Sequence, residues 1–336
     1  MEKTIYKGKT VINCVVAFIV GMLILFLPFM PYTGYYFIHI CILLLINIIA
    51  ASSLRTIYIS GQASVGHAAF MGIGAYASGL LAIRLGWSPW ITMLLGALIA
   101  MVVAILTGYL FTRLRALYFS MVTLLFGIAV EALMRSWTSL TGGMVGLIGV
   151  PKLGIFNVAG LEINFVDSNT PSYYLILLLT AATLLILYRI ERSRSGMNWL
   201  AIAQSPLVAS SIGISEAKFR VLAFAVGCFF AGLAGAAYAH YSGILSSGSF
   251  GLLPSIYFVI YILFGGLGHF VGPILGVIVL VAIPEILRPL KEFTPFVFGG
   301  IMLFIIYLAP QGLTGFRDFF RTRATKVSRK NDARAA

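Results

Sequence analysis

The stretch SGQASVGHAAFMGIGAYASG, residues 60–79, decides how the rest of this chain is interpreted. Its five glycines remove Cβ atoms, so a neighbouring backbone or a substrate can approach closely. If the stretch is helical, Ser64 and His67 lie on one face, and their hydroxyl and imidazole groups would face the same cavity. Two interpretations stay open: the stretch lines a pathway, or its small residues form a contact surface between helices. The candidate lining residues are Gln62, Ser64, His67, Gly72, Gly74, Tyr76 and, from a later segment, Glu131.

The composition of the chain is that of a membrane protein. Apolar residues make up 60% of its 336 residues, charged residues only 10%, and the mean hydropathy is +1.01. The net charge of +13 comes from basic residues between apolar segments and in a tail, which indicates membrane topology and not nucleic-acid binding. The three cysteines lie inside apolar runs without metal-ligand spacing, so neither a disulfide nor a bound metal is predicted.

Ten apolar segments of bilayer length predict an all-α polytopic membrane protein with about ten transmembrane helices. A long outer loop, 137–171, has five segments on either side, and this arrangement would give two halves of inverted topology, although the sequence shows no convincing repeat. The predicted spans are 11–30, 35–54, 61–83, 89–110, 117–136, 172–190, 219–241, 253–269, 270–287 and 293–311.

The distribution of basic residues predicts that the N- and C-termini are both cytoplasmic. With that orientation, 18 of the 23 Lys and Arg residues fall in cytoplasmic segments, as the excess of positive charge on the inner side requires. The chain then divides into a cytoplasmic N-terminus, 1–10, a transmembrane domain, 11–311, and a basic cytoplasmic tail, 312–336.

One cytoplasmic segment, 191–218, has the features of a docking element. Ser205 can cap a short helix that begins at Pro206 and stops at Gly213. Apolar residues in an otherwise aqueous segment predict contact with a partner protein, and a segment that rests on the lipid interface is the alternative. These residues are Trp199, Ile202, Leu207, Val208 and Ile212.

Two features near the outer side are less specific. The glycines of the stretch SWTSLTGGMVGLIGVPKLG, 136–154, predict tight turns packed against the mouth of a pathway. Glu131 precedes Arg135 by four residues, which favours a local ion pair, and a place on the pathway is the alternative.

Several motifs in a fixed order carry a family resemblance over about residues 35–311. Besides the segment 196–214, which ends in SSIGI, they are SVGHAAFMGIGAY at 64–76, LRALYFSMVTLLFG at 114–127, SWTSLTGGMVGL at 136–147, LAFAVGCFFAGLAGAAYAHYSG at 222–243 and GGLGHFVGPILG at 265–276. With them the chain resembles the LivM-type permease subunits of the ABC importers for branched-chain amino acids.

The resemblance implies a multi-pass permease of the bacterial inner membrane that forms the translocation pathway. It further implies a second permease subunit, two cytoplasmic ATP-binding subunits and an extracytoplasmic substrate-binding protein, with membrane lipid around the chain. ATP would be bound by the partners, because the GKT at 8–10 lacks the earlier glycine and the preceding strand of a nucleotide-binding loop. The chain itself is expected to carry no cofactor and no enzymatic activity.

Two departures from the family pattern keep alternatives open. The Phe-Gly pair at 126–127 is followed by Ile128 where the family often has Glu, and residues 203–206 lack the usual charged side chains. A permease for urea or short amides is therefore an alternative. An ion-coupled secondary transporter with His67 or Glu131 as its proton site is a third hypothesis, but it needs no cytoplasmic helix pair. An intramembrane enzyme has little support, because no catalytic constellation stands out.

Overall fold

A computed structural model describes residues 34–288 apart from 112, 115, 159–160 and 165–168, together with 293, 296–297, 299–300, 303 and 313. The described helices are α1 Tyr35–Ile59, α2 His67–Leu85, α3 Pro89–Phe111, α4 Ala116–Ser136, α5 Thr138–Thr141, α6 Asn169–Glu191, α7 Arg194–Gln204, α8 Pro206–Ser211, α9 Glu216–Ser242, α10 Leu252–Gly265 and α11 Gly272–Ile286. The strands are β1 Leu147–Ile148, β2 Ile155–Val158, β3 Leu161–Asn164 and β4 Ile244–Leu245, and a 3-10 turn covers Ser247–Phe250.

Seven helical stretches in the described part of the chain are long and apolar enough to cross a membrane. They are Tyr35–Ile59, His67–Leu85, Pro89–Phe111, Leu117–Ser136, Asn169–Glu191, Glu216–Ser242 and Ser247–Gly265, and α11 is a shorter apolar helix. The break predicted near 265–272 lies between the end of α10 and the start of α11. These observations agree with a polytopic helical membrane protein.

Other parts of the topology prediction fall outside the described residues. The segments 1–10, 11–30 and, apart from isolated positions, 293–311 and 312–336 belong to this group. The total of about ten spans and the inverted halves therefore remain predictions.

Four short strands are added to this helical fold, and the outer loop contains most of the described strand residues. β1 pairs antiparallel with β4, and β2 pairs antiparallel with β3. The predicted tight turns are confirmed, because Gly142, Gly143, Gly146 and Gly149 all have positive φ angles between 64° and 84°. These turns bring the loop back onto the end of α9, where β4 follows.

His240, in the last turn of α9, forms buried hydrogen bonds that hold the outer loop against the end of α9. Its Nδ1 donates to the carbonyl oxygen of Pro151 at 2.8 Å, and its Nε2 lies 2.8 Å from Ser78 Oγ and 3.0 Å from Thr92 Oγ1. One buried side chain thus joins α2, α3, α9 and the outer loop. We call this end of the bundle the β1–β4 end and the opposite one, where α7 and α8 lie, the α7–α8 end.

The centre of the bundle is α9, which packs against α1, α2 and α3. Small residues allow the close approach: a Cβ added to Gly74 would lie 2.4 Å from Gly232 Cα, and one added to Gly96 would lie 2.5 Å from the Gly74 carbonyl oxygen. No side chain fits at such distances, so Gly74 serves a contact between helices.

Candidate functional site

The segment that joins α1 to α2, residues 60–66, is not helical, so the span predicted over 61–83 was wrong at its start. Gly61 has φ +82°, a left-handed conformation at the end of α1. Side chains of α4 then replace helical hydrogen bonds: Ser120 Oγ donates to the Ala63 carbonyl at 2.6 Å, and Val65 N donates to Thr123 Oγ1 at 3.1 Å. The segment thereby crosses the interior without a helix while part of its backbone stays paired.

Several side chains of this segment are buried without a partner in the described structure. Gln62 and Ser64 are at most 1% exposed, and neither the Gln62 amide nor Ser64 Oγ makes a hydrogen bond among the described residues. Ser52 Oγ, on α1, is also buried without a hydrogen-bond partner among the described residues. A buried, unpaired polar group costs about 1–3 kcal/mol, so this concentration of such groups marks a place where a polar partner would be stabilised.

His67, the first residue of α2, adds one hydrogen-bond acceptor, its Nδ1, to these buried polar groups. Its Nε2 lies 2.9 Å from Ser53 Oγ, and Ser53 Oγ donates to the Ala50 carbonyl at 2.9 Å. Because a carbonyl oxygen only accepts, the Ser53 hydrogen points to Ala50, and His67 Nε2 must be the donor to Ser53. The buried Nδ1 is then an acceptor, and it has no partner among the described residues.

Ser64 belongs to this group in an unexpected way, whereas Gly72 and Tyr76 lie away from it. Ser64 does not share a helix face with His67 as expected, because it precedes α2. A Cβ added to Gly72 would lie 2.8 Å from the Phe250 Cβ, so Gly72, like Gly74, packs against a neighbouring element. Tyr76 donates to the Leu245 carbonyl at 3.3 Å, towards the β1–β4 end.

Glu131, in the last two turns of α4, makes its contacts at the start of another helix, α10. Its Oε1 pairs with Arg135 at 2.9 Å, as the spacing favoured, and its Oε2 accepts from Leu252 N at 3.3 Å. A carboxylate at the N-terminus of α10 is stabilised by the unpaired backbone N–H groups there. Glu131 lies one helical turn, about 6 Å, beyond Gly127, whose backbone approaches Gly66, but the contacts of its carboxylate are with Arg135 and Leu252. No cluster of His, Cys, Asp or Glu able to hold a metal is found within the described ranges.

At the α7–α8 end, the expectation that Trp199 and Ile202 form an exposed apolar edge of α7 was wrong. Trp199 and Ile202 are completely buried. Trp199 packs with Ile59, Phe219 and Ala223, and its Nε1 donates to the Phe219 carbonyl at 2.8 Å. The apolar face of α7 finds its partners inside the same chain, on α1 and α9, and so these two residues are not available to another protein.

The boundaries predicted for α8 are confirmed. Ser205 Oγ accepts from Val208 N at 3.4 Å, Pro206 is the first helical residue, and Gly213 has φ +84°. In contrast to the buried pair on α7, this short helix and its end leave Leu207, Val208 and Ile212 exposed at 81%, 60% and 70%. Of the five residues predicted to dock, these three are the exposed ones, and α7 adds Met197 and Leu200, which are 58% and 46% exposed.

The helix pair touches residues 60–66 directly. A Cβ added to Gly61 would lie 3.1 Å from Ala203 Cα, which places the end of α7 against the start of the non-helical segment. Any displacement of α7 relative to α1 must therefore move or deform residues 60–66.

A second connection between the helices involves the buried side chain of Arg55. Arg55 is 4% exposed, and its guanidinium makes two hydrogen bonds to the Glu191 carboxylate at 2.6 and 3.0 Å. It also donates to the Leu267 carbonyl at 3.2–3.3 Å and lies 5.8 Å from the Phe270 ring. Arg55 thus joins α1 to the residue that ends α6 just before α7, and to the turn between α10 and α11. The signal for it was an arginine inside an apolar run, although its partners are too distant in sequence to identify.

Comparisons with known proteins show which family the chain resembles. The family model described as "Branched-chain amino acid transport system / permease component" matches residues 36–309. The high-affinity branched-chain amino acid transport system permease protein LivM of Escherichia coli (strain K12) is 31% identical over 88% of this chain and 74% of its own length. The LivM protein of Salmonella typhimurium (strain LT2) is 30% identical over 85% of this chain and 71% of its own length. No solved structure gave a significant match.

Proposed function

The chain belongs to the family of permease components of branched-chain amino acid transport systems, and from this premise we propose how it takes part in transport. It is a multi-pass inner-membrane subunit of an ABC importer for leucine, isoleucine and valine, and the substrate passes beside residues 60–67. The observation that carries the placement is the group of buried polar atoms without partners in Gln62, Ser64 and His67.

The chemistry of these groups suits a zwitterion. An amino acid needs acceptors for its ammonium group, which the Gln62 carbonyl, Ser64 Oγ and His67 Nδ1 supply, and donors for its carboxylate, which the Gln62 amide and the Ser64 hydroxyl supply. No charged side chain belongs to the group. The site therefore passes the substrate without binding it tightly, and affinity resides in a separate extracytoplasmic binding protein.

Energy comes from ATP hydrolysed by two partner subunits at the α7–α8 end, which the charge distribution assigns to the cytoplasm. The partner contact is the exposed surface of Leu207, Val208 and Ile212. Movement of this surface reaches residues 60–66 through the contact between Ala203 and Gly61. A second permease subunit completes the pathway.

Uptake of labelled leucine tests the proposal. Cells that lack their own leucine uptake receive the chain with its second permease, ATPases and binding protein. Saturable, ATP-dependent leucine import is expected, with the chain replaced by an empty vector as the control. Import of urea with no import of leucine would reject the substrate assignment in favour of the related amide branch.

Gln62→Leu tests the placement of the site, because leucine has nearly the volume of glutamine and no hydrogen-bonding group. Leucine import should fall at least tenfold while the amount of assembled complex is unchanged, since the substrate then loses contacts of about 1.5 kcal/mol or more. Normal import by this variant would show that the substrate does not pass beside residues 60–67.

A further inference from the structure

A groove on the outer surface of the bundle lies between α3 and α9, outside the region of residues 60–67. Its volume is about 320 Å³ and its lining is almost entirely apolar. Ile105 and Tyr109 line it from α3, and Lys218, Leu222 and Ala225 line it from α9.

The groove runs from the α7–α8 end into the membrane-spanning part of both helices. Ile105 lies six residues before the end of α3, and Ala225 lies nine residues after the start of α9. At a rise of 1.5 Å per residue, the floor of the groove is about 9–13 Å from the helix ends. The floor is thus at the depth of acyl chains, where a water-soluble protein does not reach.

The mouth of the groove carries two basic side chains that form no ion pair within the described part of the chain. Lys218 is exposed at its rim, and the guanidinium of Arg113 lies 4.5 Å from the centre of the Tyr109 ring. The neighbouring acid is already used, because Glu216 pairs with Arg220. Among the described residues, no ion pair includes Lys218 or Arg113.

We propose that this groove is a binding site for an acidic phospholipid. One acyl chain lies along Ile105, Leu222 and Ala225, and the anionic headgroup is held by Lys218 and Arg113. Basic side chains above an apolar cleft between membrane helices are the arrangement that anionic headgroups recognise. A second permease packed over the groove would instead bury two cations, which would be unfavourable without acidic partners of its own. Because Lys218, in the first turn of α9, lies seven residues after the end of α8, the bound lipid lies near the surface proposed to contact the ATPases.

Photo-crosslinking in the assembled transporter tests the proposal independently of transport. A benzophenone amino acid is placed at position 222 inside the groove, and separately at position 106, where Leu106 is 67% exposed on α3 and does not line the groove. The complex is reconstituted in vesicles of one part phosphatidylglycerol and nine parts phosphatidylcholine. Mass spectrometry then identifies the lipid class attached to each position.

The expected result is phosphatidylglycerol enriched at least tenfold over its bulk ratio at position 222, and close to its bulk ratio at position 106. Lys218→Gln and Arg113→Gln should each lower the enrichment at position 222 by about fivefold, the contribution of one interfacial cation. Arg84→Gln, which removes a cation at the opposite end, should leave the enrichment unchanged. A bulk ratio at position 222, or attachment there to another polypeptide, would overturn the proposal.

Discussion

Replacement of Arg55 is expected to separate ATP hydrolysis from import. The side chain is buried, makes a bidentate contact with Glu191 and bonds to the Leu267 carbonyl, so it fixes three segments relative to one another. In Arg55→Ala all three contacts are lost. The segment that leads into α7 would then be held against α1 less firmly, and the link to residues 60–66 would rest on the packing of Trp199 against Ile59 and on the contact of Ala203 with Gly61.

The magnitude follows from the burial of the pair. Removal of one partner of a buried ion pair costs about 3–5 kcal/mol, and the lower value applies because the Glu191 side chain keeps 23% of its surface exposed. Glu191→Gln should cost less, about 1–3 kcal/mol, since Arg55 retains the Leu267 carbonyl. The matched control is Arg288→Gln at the opposite end. Its pair with Glu285 is 3.4 Å long and largely exposed, and its removal should cost less than about 1 kcal/mol.

The assay uses the assembled transporter in vesicles and measures two quantities for each variant. The first is the midpoint of thermal unfolding, which should fall in the order Arg288→Gln, Glu191→Gln, Arg55→Ala. The second is the number of ATP molecules hydrolysed per leucine imported, which should rise for Arg55→Ala and stay unchanged for Arg288→Gln. An Arg55→Ala complex that unfolds at a lower temperature but keeps the wild-type ATP requirement would show that the contact is structural and takes no part in coupling.

Two further changes test the helix pair and the packing of α2. Val208 is exposed, so Val208→Asp should abolish co-purification of the ATPases while the chain stays folded, whereas Ile202 is buried, so Ile202→Asp should lower the amount of folded chain itself. If Val208→Asp retains the ATPases as the wild type does, the lipid-interface interpretation of α8 is favoured. Gly74→Leu should prevent stable assembly, since even a Cβ would lie 2.4 Å from Gly232 Cα, whereas Leu106→Phe on the exposed face of α3 should be silent in the same measurement of folded protein.

Residues that favour helix ends and turns were sufficient to predict the boundaries of several elements. Proline, glycine and serine fixed α8, and the glycines of the outer loop predicted its turns, because these preferences depend on residues within one or two turns of chain. The helical start assigned to residues 61–66 failed for the opposite reason. Its conformation depends on Ser120 and Thr123, about 60 positions away, whose hydroxyl groups hydrogen-bond to its backbone.

The predicted docking surface was also affected by contacts between residues that are far apart in the sequence. Trp199 and Val208 are both apolar residues in a segment between membrane spans, and nothing near them in the sequence distinguishes their environments. Only the packing of Ile59 and Phe219 against Trp199 shows that one is internal and the other external. Likewise, the grouping of Gln62, Ser64 and His67 was visible in the sequence, whereas the lack of partners for their polar atoms became visible only in three dimensions.

The fastening at the β1–β4 end has a consequence for hydrogen exchange. Gly149 N and Val150 N both donate to the Gly243 carbonyl, at 3.1 and 3.0 Å, beside the β1–β4 ladder and the His240 contacts. These amides exchange only when the end of α9 and the outer loop separate, an opening that also breaks the buried bonds of His240. The segment 60–66 belongs to no helix or strand and contains buried side chains without partners in the described structure, so we expect its opening to cost less free energy. We therefore expect local opening to be less frequent at the β1–β4 end than at the α7–α8 end.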